Sequence, residues 1–391
     1  MTSPRPRLWT LPFAMSALSM LGLGFTFFLL VPTMAGHAVA EFGASENLAG
    51  IASSAFFFGA VFARLVVGRI IGRTGLRTVM VGSMIALVLS CAAYLLPVTL
   101  GTLIVIRVIH GVCFGFAATA IAGAAIGLAP PSRRGEASGW SMMGQTLATG
   151  LAPFLALSLI NSGAGQRAVF WVTIGFALFA LAAAFVAAPG LPGRPSAETP
   201  RARSWVAPRA LPIGFVVGLC AIGFSTVLAY LNLFAAERGL LGAAGLYFLV
   251  YAVVIAVSRP GAGILQDRLN DDIVTIPLLV LVAVGVVLTG LAGGPVALLV
   301  GAAALGLGYG TLISVGQAIA VSRMTPAQMG LGVSSYFLIV DAATGLGPVL
   351  MGTLIEPLGF QNTFLAAGTL PLLALVVYVL VARRVPRPSV A

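Results

Sequence analysis

The chain has 391 residues, of which 59% are hydrophobic and only 8% are charged, whereas soluble globular proteins carry about 25% charged residues. So few charges exclude a soluble fold of this size, because they would not cover its surface with well-solvated groups. The formal net charge of +11 comes from arginines between long apolar runs, with no soluble domain to carry a basic patch, so no nucleic-acid partner is expected.

Twelve apolar stretches follow one another along the chain, and each is about as long as the twenty residues that cross a bilayer core. The first is interpreted as a span and not as a signal peptide, because its apolar run is too long and no cleavage site follows. The pattern predicts an all-α membrane protein with spans at 9–34, 47–70, 76–97, 101–127, 135–160, 166–188, 210–236, 243–266, 273–294, 296–321, 330–356 and 361–382.

A segment rich in Pro, Arg and Ser divides these spans into six and six. We therefore expect an N-terminal six-helix bundle over residues 1–188, a cytoplasmic linker over 189–209 and a C-terminal bundle over 210–391. Sixteen of the 21 arginines fall in segments on the side of the termini, two fall in loops on the other side, and three fall in spans. Because arginine-rich loops stay inside, both termini are predicted to be cytoplasmic. Arginine without lysine suggests a GC-rich bacterium and hence its inner membrane.

The two halves repeat each other at one offset. Arg64 and Arg259 are 195 residues apart, and so are Pro153 and Pro348. The same offset relates Gly68 to Gly263, Arg73 to Arg268, Gly111 to Gly306, and Gly150 to Gly345. One offset across separated segments predicts two pseudo-symmetric bundles in the same orientation, related by an axis along the membrane normal. Halves of this kind rock about a central site in transporters.

The loops that follow spans two and eight resemble a family signature. Residues 68–77 read GRIIGRTGLR and residues 263–270 read GILQDRLN, which is similar to the Gly-x-x-x-Asp-Arg-x-Gly-Arg-Arg signature of the major facilitator superfamily. The first copy lacks the aspartate, where Gly72 stands, and the second keeps it as Asp267. The resemblance covers the whole chain and implies two rocking six-helix bundles. It implies conformational roles for Arg64, Gly68, Arg69, Arg73, Gly75, Arg77, Arg259, Gly263, Asp267 and Arg268; the alternative is that these arginines only orient the chain.

Spans four, five and eleven carry motifs that resemble those of drug–proton antiporters in the same superfamily. Arg107 and Gly111 match an Arg-x-x-x-Gly motif, which implies that Arg107 lies at the central cavity and influences proton transfer; alternatively it reaches the outer surface. Gly150 with Pro153, and Gly345 with Pro348, resemble a Gly-Pro motif of exporters, although simple helix packing explains them too. Residues 334–348 and 258–260 also look like a branch that exports metallophores or drugs.

Asp341 is the acidic residue nearest the middle of a predicted span. Charged groups at membrane depth are costly and often mark ion pathways, so Asp341 is a candidate for proton coupling. The alternative is a fixed, hydrogen-bonded or arginine-paired aspartate that holds span eleven. His110 titrates near physiological pH when unperturbed and is a second candidate, although a lone histidine in a helix is commonly packed and neutral.

Polar and aromatic residues at cavity depth are candidates for substrate binding, although each would otherwise face lipid or a neighbouring helix. They are Thr26, Gln145, Phe57, Tyr230, Asn232, Tyr251, Gln317 and Tyr336.

Several chemistries are not expected. A chain without lysine cannot form a Gly-x-x-x-x-Gly-Lys-Ser/Thr phosphate-binding loop, and no Cys/His spacing suggests a metal. We therefore predict no enzyme activity, no cofactor and no metal, with a proton gradient as the driving force. The leading prediction is a monomeric secondary active transporter that exports drug-like compounds, a metabolite or a metallophore. The alternatives are an importer or facilitator of a small metabolite or organic anion held by arginines in the spans, and a non-transporting membrane sensor.

Overall fold

The structure, a computed structural model, describes residues 7–96, 99–130, 133–191, 206–268, 270–324 and 329–385. For residues 134–136, 138–139, 259–268 and 329–330 only the backbone is described. The predicted linker, residues 189–209, therefore lies largely outside the described residues, and its boundaries stay a prediction.

The described chain is helical and contains no strand within these ranges. The helices are α1 (Leu11–Phe28), α2 (Val31–Phe42), α3 (Glu46–Thr74), α4 (Leu76–Ala93), α5 (Leu100–Leu128), α6 (Arg134–Asn161), α7 (Gly165–Ala187), α8 (Leu211–Glu237), α9 (Leu241–Arg268), α10 (Asp271–Gly290), α11 (Pro295–Leu305), α12 (Thr311–Ser322) and α13 (Met329–Leu380). A π-helical segment, Gly306–Gly310, joins α11 to α12. The all-α prediction is confirmed.

Among the described residues, 11 helical stretches are long and apolar enough to cross a membrane, and the last of them has 54 residues. At the usual helical rise, that stretch would extend about 80 Å, which is more than twice a bilayer core. It turns at Gly359, whose φ of 74° is a left-handed conformation that glycine adopts without a steric penalty. Because α13 thus supplies two spans, the prediction of twelve is confirmed.

Local chemistry sets where several helices break. Pro32 has no amide hydrogen, so the Phe28 carbonyl has no partner four residues on, and α1 gives way to α2 between these two residues. Gly75 has a φ of 90° and forms the single-residue junction between α3 and α4. Thr99 caps α5, because its hydroxyl accepts a hydrogen bond from the Thr102 amide at 3.3 Å.

The sequence repeat reappears as a repeat of packing contacts. In the first half, a Cβ on Gly111 of α5 would overlap the Phe56 carbonyl of α3. In the second half, a Cβ on Gly306 would lie 2.8 Å from the Tyr251 carbonyl oxygen of α9. Phe56 and Tyr251 are themselves 195 residues apart, so the two halves use equivalent glycines to bring equivalent helices together.

Two seams join the halves, and the same offset relates them. A Cβ on Gly345 of α13 would overlap Phe57 of α3, and a Cβ on Gly150 of α6 would overlap Ala252 of α9. Helices α2 and α8 also pack against each other between the halves. We call the contact between Gly345 and Phe57 the α3–α13 seam, and the contact between Gly150 and Ala252 the α6–α9 seam. Because the number of spans is even, Leu11 and Leu380 lie at one face of the bundle, the terminal face, and the other is called the far face.

Candidate functional site

Arg64 and Asp341, two charged residues within spans, meet across the α3–α13 seam. The Nε–H of Arg64 donates a hydrogen bond to Oδ2 of Asp341, and the two side chains form an ion pair. Each side chain is 18% exposed. Arg64 lies ten residues before the end of α3 at Thr74, about 15 Å from the terminal face along the helix. The pair therefore links the two halves at membrane depth.

An aromatic ring completes the surroundings of the Arg64 guanidinium. Its central carbon lies 5.5 Å from the centroid of the Phe337 ring, which is within cation–π distance. Phe337 precedes Asp341 by four residues on α13, so both side chains lie on one face of that helix. This face holds a cation with a carboxylate and an aromatic ring at once. The i, i+4 spacing is present in the sequence, but nothing in the sequence distinguishes Phe337 from the other aromatic residues of the spans.

The seam is tightly packed from the ion pair toward the far face. Gly345 lies one turn beyond Asp341 and packs directly against Phe57. Phe57 is 5% exposed and its ring makes an edge contact with Phe27 of α1, at a centroid distance of 5.4 Å. The candidate substrate residue Phe57 thus lies in the seam, and its role in binding stays a prediction.

At the far face, Tyr230 of α8 bridges both halves. Its hydroxyl lies 2.8 Å from the Pro348 carbonyl oxygen of α13 and 3.2 Å from the Glu46 carbonyl oxygen of α3. Gly50 and Gly352 leave room for this hydroxyl, because a Cβ at either glycine would overlap it. Tyr230 is fully buried, so in this conformation its hydroxyl lies between the two halves and holds them together. Its contact with substrate stays a prediction.

Toward the terminal face, few described atoms surround α3. Among the residues that the structure describes, a Cβ on Gly68 or Gly72 would meet no atom within 4 Å outside its own helix. The arginines of the first signature copy, Arg69, Arg73 and Arg77, are exposed there. The packed part of the seam thus runs from the far face to the ion pair. The side chains of Arg259, Asp267 and Arg268 and the surroundings of Gly263 lie outside the described residues.

Arg107 is buried inside the first half. Its Nε–H donates to the Ala52 carbonyl at 3.2 Å and its Nη2 donates to the Ser53 carbonyl at 2.6 Å. Its guanidinium also lies 5.4 Å from the centroid of the Phe56 ring. Arg107 is 0% exposed, so it does not reach the outer surface, and the buried aliphatic stem and guanidinium tie α5 to α3. Its influence on proton transfer stays a prediction.

His110 has two polar partners in the same half. The Tyr94 hydroxyl lies 3.1 Å from its Nδ1 and the Cys91 sulfur lies 3.8 Å from its Nε2. The ring is fully buried and makes an edge contact with Phe56. These contacts link α4 to α5 and fit the reading of a packed histidine. The sequence offered no signal for Tyr94, because nothing in the spacing shows which faces of α4 and α5 meet.

The second half contains an aromatic stack. The ring of Phe224 in α8 stacks on Tyr309 at 4.5 Å and on Tyr251 at 5.4 Å. Tyr309 belongs to the π-helical segment, a kind of distortion that is common at functional sites. The stack places the candidate Tyr251 among three helices, α8, α9 and the tenth span.

The other predicted substrate residues are distributed over both halves. Thr26 donates to the Leu23 carbonyl of its own helix at 2.8 Å, and Tyr336 donates to the Ile313 carbonyl of α12 at 2.9 Å. Gln145, Asn232 and Gln317 are half-buried. Pro153 and Pro348 lie inside α6 and α13. No described contact brings these polar residues into one cluster, so their shared role in binding stays a prediction.

A polar pocket of about 380 Å³ opens at the terminal face of the second half. Its lining is formed by Asn270, Asp271, Asp272, Arg323, Tyr378, Arg383 and Arg384. The Tyr378 hydroxyl donates to Asp272 at 2.7 Å, and Arg383 lies 3.7 Å from the same carboxylate. The pocket thus belongs to helix ends and not to the seam. In the part of the chain that the structure describes, no group of three or more His, Cys, Asp or Glu side chains is placed to hold a metal ion.

Comparison with known proteins shows which family the chain resembles. The family model of the Major Facilitator Superfamily matches residues 16–292 and 241–391. An uncharacterised MFS-type transporter of Pseudomonas aeruginosa is 27% identical over 381 residues, which covers 90% of this chain and 89% of that protein. The transcription regulatory protein OpdE of the same species is 28% identical over 354 residues, which covers 88% and 87%.

A solved structure shares the fold. The crystal structure of a POT family transporter in complex with 5-aminolevulinic acid superposes with a TM-score of 0.81 at 13% identity, covering 96% of each chain. At that identity the likeness concerns the fold alone. With the family model matched along nearly the whole sequence, the chain belongs to the major facilitator superfamily.

Proposed function

We propose that this protein is a proton-coupled exporter that moves small organic molecules, drug-like compounds or a metabolite, by alternating access, and that it is not an enzyme. The observation that carries the proposal is the Arg64–Asp341 ion pair, which joins the halves at membrane depth. Ionisable residues at this depth characteristically face a pathway and take part in ion coupling. The Gly-Pro pairs of α6 and α13 favour export over import.

The ion pair supplies a reason for coupling. To open a path to the far face, the α3–α13 seam must separate, and this parts Arg64 from Asp341. An unpaired carboxylate in a low-dielectric site costs roughly several kcal/mol, so the ionised, unloaded carrier stays closed toward the far face. Protonation of Asp341 removes the negative charge. The protonated carrier can then change between the open and closed states of the seam without an uncompensated carboxylate, so a proton taken up at the far face can return with the carrier.

The placement of arginines supports an orientation for this cycle. Arg69, Arg73 and Arg77 are exposed at the terminal face, as are Arg383 and Arg384. By the positive-inside rule we assign this face to the cytoplasm. In this proposed orientation, the packed far face is the outer side, and the carrier is closed toward the outside. We propose a monomer in the bacterial inner membrane, with both termini in the cytoplasm.

Proteoliposomes with an imposed pH gradient test the proposal. Lumenal pH is recorded with an entrapped dye while candidate substrates are added to wild type, Asp341→Asn and Asp272→Asn. Asp272 is the matched control, because it is also paired with an arginine but lies at the terminal face. Substrate-driven proton movement that is lost only in Asp341→Asn supports the proposal. Uphill transport at the wild-type rate in Asp341→Asn would sink it.

Two other functions make different predictions. A carrier of organic anions needs a cation free to hold them, but among the span arginines whose side chains are described, Arg64 is paired with Asp341 and Arg107 donates to backbone carbonyls. A membrane sensor is the function that the relative OpdE suggests, because OpdE is a transcription regulatory protein. A sensor would bind ligand without flux, so the liposome experiment distinguishes it from a transporter.

A further inference from the structure

The ion pair also indicates which chemical group the α13 side of the α3–α13 seam can bind. Asp341 and Phe337 both belong to α13 and therefore stay together when the halves part. Arg64 belongs to α3 and departs with the first half, together with Phe57. What remains on α13 is a carboxylate with an aromatic ring one turn below it, a pair that holds a guanidinium in the structure.

We propose that this face of α13 is the binding site for the cationic group of the substrate, and that Arg64 occupies it as a tethered competitor. The inference rests on the proposed transport function and names the substrate class: an organic amine or guanidine with an apolar body. A carboxylate binds a guanidinium or ammonium through charge-assisted hydrogen bonds. An aromatic ring adds cation–π attraction.

The site on α13 should distinguish cationic ligands from neutral and anionic ones. A neutral analogue of the same shape would leave the Asp341 carboxylate buried without a countercharge, which is costly. An organic anion would be repelled by it. Both partners are partly exposed, 18% each, and no described atom crowds Gly68 or Gly72, which lie one and two turns closer to the terminal face. These observations support access to the pair from that face.

Competition by Arg64 gives the transport cycle its order. A substrate cation that enters from the terminal face displaces Arg64 from Asp341, which neutralises the carboxylate and releases the seam. At the far face a proton replaces the cation on Asp341 and allows the return. After the proton leaves on the terminal side, Arg64 pairs with Asp341 again. The empty, ionised carrier is thereby held closed and does not leak.

Equilibrium binding tests the site without requiring transport. The probe is labelled benzylguanidine, a cation that reproduces the Arg64 head group beside an aromatic ring, and its neutral isostere benzylurea is the competitor. Binding to the purified full-length protein in detergent is measured by scintillation proximity. We expect Arg64→Gln to bind the probe roughly tenfold more tightly, because the competitor is gone. Asp341→Asn loses binding, and Phe337→Leu weakens it roughly two- to thirty-fold.

The proposal predicts opposite effects on probe binding for the two partners, since Arg64→Gln should tighten binding and Asp341→Asn should abolish it. A purely structural ion pair would give Arg64→Gln and Asp341→Asn the same effect, and that result would overturn the proposal. So would binding by Asp341→Asn at wild-type affinity, equal competition by benzylurea, or no binding by Arg64→Gln. Asp272→Asn should bind as wild type does, and thermal unfolding checks that each variant is folded. Absence of proton-driven flux with the predicted binding pattern would remove the transport proposal and leave the cation site standing.

Discussion

The hydroxyl of Tyr230 lies 2.8 Å from the Pro348 carbonyl oxygen and 3.2 Å from that of Glu46, so one group in α8 bridges both halves at the far face. Gly50 and Gly352 give it the space to do so. Below it, Gly345 packs on Phe57, and the Arg64–Asp341 pair ends the packed part of the seam. A hydrogen bond, a glycine contact and an ion pair thus succeed one another along α13.

Removing the Tyr230 hydroxyl should favour opening of the far face. Tyr230→Phe removes a hydrogen bond worth about 1 kcal/mol that exists when the seam is closed and is lost when the halves part. Spin labels at Leu48 and Glu356, near the far-face ends of α3 and the first part of α13, should report a larger population of long distances. The native cysteines are buried, which keeps labelling selective.

Tyr247→Phe is the matched control for this change. Its hydroxyl bonds to the Thr289 hydroxyl at 2.8 Å, but both residues belong to the second half. The variant should lose stability without a change in the distance distribution. Equal broadening in both variants would contradict the assignment of Tyr230 to far-face closure.

Glycines in the two seams should be intolerant of side chains. Gly345→Val places its side chain against Phe57, and Gly150→Val places its side chain against Ala252. Both prevent the seams from closing, so uptake into proteoliposomes should fall at least about tenfold in each, since overpacking costs about 1–3 kcal/mol. Gly175→Val is the control, because a Cβ there meets no described atom within 4 Å outside its own helix. Normal transport by Gly345→Val would refute the close contact.

Exchanging the charges should separate structure from coupling. Arg64→Asp or Asp341→Arg alone leaves like charges together and should lower the thermal unfolding temperature in detergent. The double variant restores an ion pair across the seam and should recover part of that loss. Proton-driven transport should stay absent, because α13 then presents a cation where the proton and the substrate need a carboxylate. A double variant no more stable than either single one would argue against the pair as a seam contact.

Arg107 offers a test of the role that the drug–antiporter resemblance implies. Arg107→Lys keeps the charge but loses the planar fork that reaches two carbonyls, so the variant should be destabilised by about 1–3 kcal/mol. The control is Arg238→Lys. Arg238 is exposed and donates to the Ala292 carbonyl at the far face, so this variant should change stability little. If Arg107 only ties α5 to α3, proton flux per folded molecule stays at the wild-type level. A fall in that flux would favour a direct part in proton transfer.

Much of the architecture was predictable because membrane spans obey simple physics. In lipid every backbone amide and carbonyl needs an internal partner, so runs of about twenty apolar residues must be helices. The offset of 195 residues went further, since it predicted two pseudo-symmetric bundles in the same orientation. Gly111 on Phe56 and Gly306 on Tyr251 bear this out. A glycine at a helix crossing can be recognised in the sequence, because a residue without a side chain allows the closest approach of two helix backbones.

Charge pairing was decided by the tertiary structure. The sequence marked Arg64 and Asp341 as costly residues within spans, and it left open whether Asp341 was paired. Their separation of 277 residues carries no pattern that would join them. The pairing depends on which faces of α3 and α13 turn toward each other when the two halves meet. The sequence marked Tyr230 as a candidate for substrate binding, but its bridging role follows from two carbonyls in other helices. Hydropathy specifies how a helix crosses the membrane, whereas its rotation and neighbours are set by packing against the rest of the bundle.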